Sequence, residues 1–228
     1  MSRRPKEANR IEKFLRRYLD PEDRMSELLF GLIMTLTFTL GANLVVEEGP
    51  AATRELLAGV IGCNIAWGII DGMLYVFTAM YARGAPFRAA QALRKHGPAY
   101  MQQRLREKLD ESYASTLSGQ TKAQLCSELI QALGQLTPQR VRMNRDDLWG
   151  AVASFWLVFV TALPAVAPFF LIDDRTMALR ISNVTLIFLL YLIGKQWAGY
   201  INANRQMVGL GVAAFGLALV QLTIALGG

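Results

Sequence analysis

Five long apolar runs divide the chain, and each has the length that a membrane-spanning helix needs. Because a bilayer core of about 30 Å takes about 20 apolar residues of helix, the pattern predicts five transmembrane helices. Three of the runs carry no charge, one contains only Asp71, and one is interrupted by Arg180 and Lys195. In chain order the runs are 28–46, 56–82, 148–172, 177–201 and 207–226.

Two polar segments have helical patterns of their own. Residues 9–19 carry apolar side chains on one helical face and basic ones opposite, which predicts an amphipathic helix ended by Pro21. That helix is expected to lie on an anionic membrane surface or to pack against the ends of the membrane helices; its apolar residues are Ile11, Phe14, Leu15, Tyr18 and Leu19.

Residues 83–147 are too many for a simple connection and predict a helical hairpin. Pro98 begins its first helix, residues 118–120 form the turn, and Thr121 with Gln124 has the form of a capping box for the second. The prediction is therefore an all-α polytopic membrane protein with a helical-hairpin insertion between helices two and three. Its parts are 1–25 (cytoplasmic amphipathic helix), 26–82 (transmembrane helices 1–2), 83–147 (cytoplasmic insertion) and 148–228 (transmembrane helices 3–5).

Composition and charge agree with a membrane protein and orient it. The chain is 53% hydrophobic and 18% charged, with a net charge of +6, whereas soluble domains are about 25% charged. The connections on the N-terminal side hold 21 Lys and Arg and those on the other side three. This asymmetry predicts a bacterial inner-membrane protein with its N-terminus cytoplasmic and its C-terminus outside. It accounts for the basic balance without nucleic acid, and since no enzyme motif is present, we do not expect an enzyme.

Asp71 is the one acid within an apolar run, and such a residue normally faces a protein interior or a water-filled path. On a helical wheel Asn64 shares its face, and the first run carries a second polar stripe. Two interpretations stay open: the stripes line a cation or proton path, or Asp71 is protonated or hydrogen-bonded across a tight helix pair. The candidate pathway residues are Asp71, Asn64, Thr35, Thr39, Asn43 and, at the cytoplasmic entrance, Glu27.

Three further carboxylates, Glu107, Asp110 and Glu111, fall on one face of the predicted insertion. Oxygen clusters of this kind favour divalent cations. The basic residues interleaved with them equally favour ordinary ion pairs on a solvated helix face.

The order of these features resembles the vacuolar iron transporter family. The likeness lies in residues 27–43 (ELLFGLIMTLTFTLGAN), 58–68 (AGVIGCNIAWG), 162–171 (ALPAVAPFFL) and 190–197 (LYLIGKQW), and it covers about residues 26–226. By this resemblance Glu27 corresponds to a family carboxylate and Met34 to a metal-site position, as a soft ligand.

Other positions depart from the family pattern. Ile33-Met34-Thr35 stands where the family has Asn-Asp-Gly, and Gly68-Ile69 where it has Gly-Glu. The predicted insertion has eleven basic and six acidic residues in place of the glutamates of the family's iron exchangers. The resemblance thus implies a divergent member that lacks most of the metal-binding carboxylates.

The leading hypothesis is a homodimeric transporter of a divalent cation, Fe²⁺ or Mn²⁺, with proton exchange as a candidate coupling and no tightly bound cofactor. Metal ligands are then expected among Asp71, Met34, Glu107, Asp110 and Glu111. The alternative is a non-transporting membrane scaffold that binds lipid or a protein partner through its basic cytoplasmic helices.

Overall fold

The structure, a computed structural model, describes residues 13–15, 17–41 and 50–225. Regular structure in these ranges is entirely helical, which confirms the predicted all-α class for this part of the chain. The elements are α1 (Pro21–Gly41), α2 (Pro50–Asp110), a 3₁₀ turn (Tyr113–Thr116), α3 (Gly119–Gln135), α4 (Arg145–Val166), α5 (Pro168–Leu171), α6 (Arg175–Tyr200) and α7 (Arg205–Ala225).

Three helical stretches are long and apolar enough to cross a membrane, which indicates a membrane protein. They are Thr53–Asp110, Arg145–Leu171 and Arg175–Tyr200; the first contains the second predicted span, and the other two cover all but the last residue of the third and fourth. In their described residues, the first and fifth predicted spans overlap α1 and α7; the stretch Arg205–Leu219 of α7 is a shorter apolar helix. The count of five spans stays a prediction.

The chain forms two compact units, and α2 runs through both. The first consists of Met1–Val76 and Arg145–Gly228, and the second of Phe77–Asn144. In the first unit α1 lies against α4, α6 and α7, and α6 packs along α7. The core here is made of aliphatic side chains from α1, α4 and α6, including Leu32, Leu36, Leu186 and Leu190.

The polar N-terminal segment packs on the first unit. Residues 13–15 and 17–18 are helical, and Leu19 is buried against Ala153 and Leu157 of α4. The Phe14 ring meets Trp149 edge-on at 6.1 Å. These residues therefore pack against α4, and Pro21 begins α1. Ile11 lies outside the described residues.

The second unit folds back at Gly97, where α2 is kinked. Gly97 has φ 86° and ψ 171°, and Pro98 opens the next helical segment, as its sequence position predicts. Both segments pack against α3 through a small core of Ala90, Leu93, Met101 and Leu133.

The predicted capping box beginning at Thr121 is wrong by three residues. Ser118 is the N-cap of α3: its backbone is extended, and its side chain accepts a hydrogen bond from the Thr121 amide at 3.2 Å. Thr121 is already the third helical residue, so its amide is one of the free donors that a cap must satisfy.

The third predicted span is interrupted at its proline pair. Pro164 lies within α4, which ends at Val166, and Pro168 begins the four-residue α5. Val166 packs against Leu56 and Leu179, so the interruption is surrounded by apolar side chains.

Candidate functional site

The carboxyl groups of Glu27 on α1 and Asp71 on α2 are close enough to interact. Glu27 lies in the second turn of α1, and the Ser154 hydroxyl of α4 donates to its Oε1 at 2.8 Å. Asp71 Oδ2 is buried and has no hydrogen-bond partner among the described residues. Residues of α1, α2 and α4 thus meet at this acid pair, and Asp71 Oδ2 can still accept a hydrogen bond.

Two neighbouring carboxyl groups can share a proton. A carboxylate can only accept hydrogen bonds, so two carboxyl groups bond to each other only when one of them carries a hydrogen. The Ser154 hydroxyl supplies a donor to Glu27 but not to the free oxygen of Asp71. The arrangement can hold one shared proton, or it can lose that proton to a cation ligated by the same oxygens.

A second polar layer lies two turns along α1 and is closed by its own hydrogen bonds. The Asn64 amide nitrogen donates to Thr35 Oγ1 at 3.0 Å and to the Val60 carbonyl at 2.9 Å. Thr161 Oγ1 of α4 lies 3.4 Å from Asn64 Oδ1. Asn64 and Thr35 are both 0% exposed, so this layer holds α1, α2 and α4 together.

The two layers fit a single antiparallel alignment of α1 and α2. Glu27 faces Asp71 and Thr35 faces Asn64, so eight residues along α1 correspond to seven residues back along α2. The predicted polar stripes of these two helices do lie against each other in the described chain.

Thr39, further along the polar stripe of α1, contacts α6 rather than α2. Thr39 donates to Asn183 Oδ1 of α6 at 2.8 Å and is 1% exposed. Asn43, also predicted for this stripe, lies outside the described residues.

Met34 is not brought to the acid pair. It follows Glu27 by seven residues, about 10 Å along the helix axis. Its Sδ accepts a hydrogen bond from the Cys63 thiol at 3.4 Å. Met34 and Asp71 are therefore not neighbours in a single ligand set.

Close approach of the helices depends on glycines of α1 and α2. A Cβ added at Gly31 would collide with the Thr161 side chain, and one at Gly68 would lie 3.1 Å from the Phe155 carbonyl oxygen. Both glycines thus permit close approach of α1 and α2 to α4.

In the second unit two of the three predicted carboxylates, Glu107 and Asp110, have protein partners. Lys122 of α3 bonds to Asp110 Oδ1 at 2.5 Å, and this hydrogen bond holds the pKa of Asp110 below its usual value. Glu107 accepts from Gln103 at 3.0 Å. Throughout the described residues, no group of three His, Cys, Asp or Glu side chains is placed to hold a metal ion.

Three residues of these layers were missed by the sequence analysis: Ser154, Thr161 and Asn183. Ser154 and Thr161 lie seven residues apart in an uncharged run, so they share a helix face. A helical wheel of the third run therefore predicts Ser154 and Thr161 as a polar pair, whereas Asn183 belongs to the fourth run.

Comparison with known proteins does not assign the chain to a family. No protein-family model matches it, and no curated protein matches it in sequence. The function is therefore inferred from the side chains of the site.

Proposed function

We propose that this protein is an integral membrane transporter that moves a divalent cation, Fe²⁺ or Mn²⁺, in exchange for protons at the Glu27–Asp71 pair. The observation that carries the proposal is the proximity of two carboxyl groups, Glu27 of α1 and Asp71 of α2, within the helix bundle. The proposal includes five spans, a cytoplasmic N-terminus in a bacterial inner membrane, a homodimer, and divergent kinship with the vacuolar iron transporter family.

A purely structural role would not need two acids. Ionisable residues in membrane helices are costly, and they typically serve ion or proton movement. Helix association is already supplied in this bundle by the Asn64–Thr35 hydrogen bond and by the glycine contacts. The acid pair is therefore better explained by chemistry than by packing.

Cation binding and proton release follow from the same oxygens. Two carboxylates and the Ser154 hydroxyl offer hard oxygen ligands, which suit Mn²⁺, and water can complete the coordination. A divalent cation entering the pair would displace the shared proton, because the proton and the metal compete for the same lone pairs. Exchange then needs no further titratable group at the site.

The Asn64 layer would act as the barrier beyond the pair. It is dry and internally hydrogen-bonded, so an ion passing between α1, α2 and α4 requires these bonds to separate. Under this proposal the acid pair is reached from the end of the bundle at which α1 begins.

Mn²⁺ uptake into proteoliposomes tests the proposal. Glu27→Gln and Asp71→Asn should each lower uptake at least roughly tenfold, because each removes a charged ligand. Glu55→Gln is the matched control, since Glu55 is an exposed acid on α2. A pH-sensitive dye on the opposite side should report proton movement with the wild type and the control only.

Two outcomes would contradict the proposal at different levels. Unchanged uptake by Asp71→Asn would show that the site is wrong. Failure of any divalent cation to move with the wild type would show that the class is wrong.

The second candidate, a membrane scaffold that does not transport, is favoured by one feature of the second unit. A cavity of about 390 Å³ there is lined by Arg88, Arg104 and Lys108 over an apolar floor, with no acid among its described lining residues. Binding of anionic lipid or a partner through these basic helices, together with absent cation uptake, would favour this function over transport.

A further inference from the structure

We propose that the first unit binds an anionic phospholipid, with the lipid phosphate seated in a basic cavity at one end of the helix bundle. The inference rests only on the membrane location of the protein and not on transport. The cavity is separate from the Glu27–Asp71 pair and belongs to the first unit alone.

The cavity lies where several helices begin or end. Its volume is about 770 Å³, and it is bounded by the start of α1, the last turns of α6 and the first residue of α7. Helix ends of a membrane bundle lie near the level of the lipid headgroups. A cavity of this size accepts a headgroup together with the upper part of an acyl chain.

Three cations from three helices converge on it: Arg24 of α1, Lys195 of α6 and Arg205 of α7. None of the described residues that line the cavity is an Asp or a Glu. The acids of the first turn of α1, Glu22 and Asp23, are exposed and are not part of the lining. The cavity therefore favours an anion.

Arg24 has an unsatisfied donor. Its Nε is buried and has no hydrogen-bond partner among the described residues. A buried guanidinium donor without a partner is costly, and guanidinium groups match the geometry of phosphate oxygens. A phosphate in the cavity would accept from this nitrogen.

Apart from Gln196 and Tyr200, the remainder of the lining is apolar, and this favours a lipid over a soluble anion. Leu28, Leu157 and Leu192 contribute to the wall. The Lys195 stem packs along Gly209, and its ammonium lies 5.3 Å from the centre of the Tyr191 ring. Cations at the rim of an apolar pocket between membrane helices are the typical arrangement for anionic headgroups.

Lipid binding to the full chain in detergent tests the proposal. Phosphatidylglycerol and phosphatidylcholine with identical acyl chains are titrated, and binding is followed by native mass spectrometry. The wild type should bind phosphatidylglycerol selectively. Lys195→Gln and Arg205→Gln should each raise its apparent Kd about fivefold, the change expected when one basic contact to an anionic lipid is removed.

Arg180→Gln is the matched control, because Arg180 is an exposed cation near the opposite end of α6. It should bind phosphatidylglycerol like the wild type, and so should Asp71→Asn, which separates this site from transport. Since Arg24 is partly buried, its substitution could disturb folding, and the test therefore depends on Lys195 and Arg205.

Three results would overturn the proposal. Equal affinity for the two lipids would remove the role of the phosphate charge. An equal effect of Arg180→Gln and Lys195→Gln would remove the role of the cavity. Displacement of the lipid by inorganic phosphate at equal concentration would assign the cavity to a soluble anion.

Discussion

Thr35 of α1 accepts a hydrogen bond from the side-chain amide of Asn64 on α2. Thr37, two residues further along α1, is a suitable comparison because its hydroxyl bonds only within α1. Thr35 Oγ1 accepts from Asn64 at 3.0 Å and donates to the Gly31 carbonyl at 2.7 Å. Thr37 Oγ1 donates at 2.9 Å to the Ile33 carbonyl of its own helix. The two side chains thus differ in whether they join two helices.

Thr35→Val should therefore destabilise the protein more than Thr37→Val. Interhelical hydrogen bonds of this kind are worth roughly 0.6–1.7 kcal/mol in membrane proteins, and valine keeps the shape of threonine without its hydroxyl. The measurement is the free energy of unfolding in detergent. Equal losses for the two variants would indicate that the Asn64–Thr35 bond contributes little.

At this scale the sequence predicts which residues are polar and which face they share, but not which residue each will meet. Asp71 and Asn64 were grouped correctly on one face of α2, and Thr35 on the stripe of α1. The pairing of Asp71 with Glu27 depends on the register of two helices whose connection includes residues outside the description. Register is set by the packing of both helices against α4, which the local pattern of either helix does not contain.

The helices of the first unit approach each other closely where glycines face a backbone. A Cβ at Gly72 would lie 3.0 Å from the Ala151 carbonyl oxygen of α4. Gly62, on the same helix, has no heavy atom within 4 Å of such a Cβ. One helix therefore carries one glycine that packing requires and another that it does not.

Gly72→Ala should be less stable than Gly62→Ala by roughly 1–3 kcal/mol, the usual cost of overpacking. Gly62→Ala alone should gain up to about 1 kcal/mol from helix propensity. Thermal midpoints in one detergent give the comparison. If Gly72→Ala matched or exceeded Gly62→Ala in stability, α2 and α4 would not be packed as described.

Helix positions follow from the sequence better than the details of their ends. The apolar runs predicted the positions of α2, α4 and α6 because the mean hydropathy of a span is averaged over many residues. The cap of α3 was missed because Thr121 and Ser118 are both acceptable cap residues. Only the extended backbone at Ser118 distinguishes them.

The first unit as a whole exposes many large apolar side chains on its long helices. Trp156 of α4 is 51% exposed, as are Leu163 and Leu74. A water-soluble surface rarely has contiguous apolar area of this extent. Contact with lipid chains accounts for it.

Fluorescence quenching by brominated lipid should distinguish the tryptophans. A variant that retains only Trp156 should be quenched strongly in bilayers. One that retains only Trp67, whose indole nitrogen is buried, should be quenched weakly. Stronger quenching of Trp156 by aqueous iodide than by the lipid would show that this face of α4 contacts water.

The kink at Gly97 depends on a backbone conformation with a positive φ. Its φ of 86° and ψ of 171° lie in a region that L residues other than glycine do not adopt readily. Yet a Cβ built at this position has no heavy atom within 4 Å. Space is therefore not what an L-alanine would lack at position 97; its backbone would be strained by the positive φ. The fold-back of the second unit requires a residue that tolerates a positive φ, and glycine serves there by its backbone freedom rather than by its size.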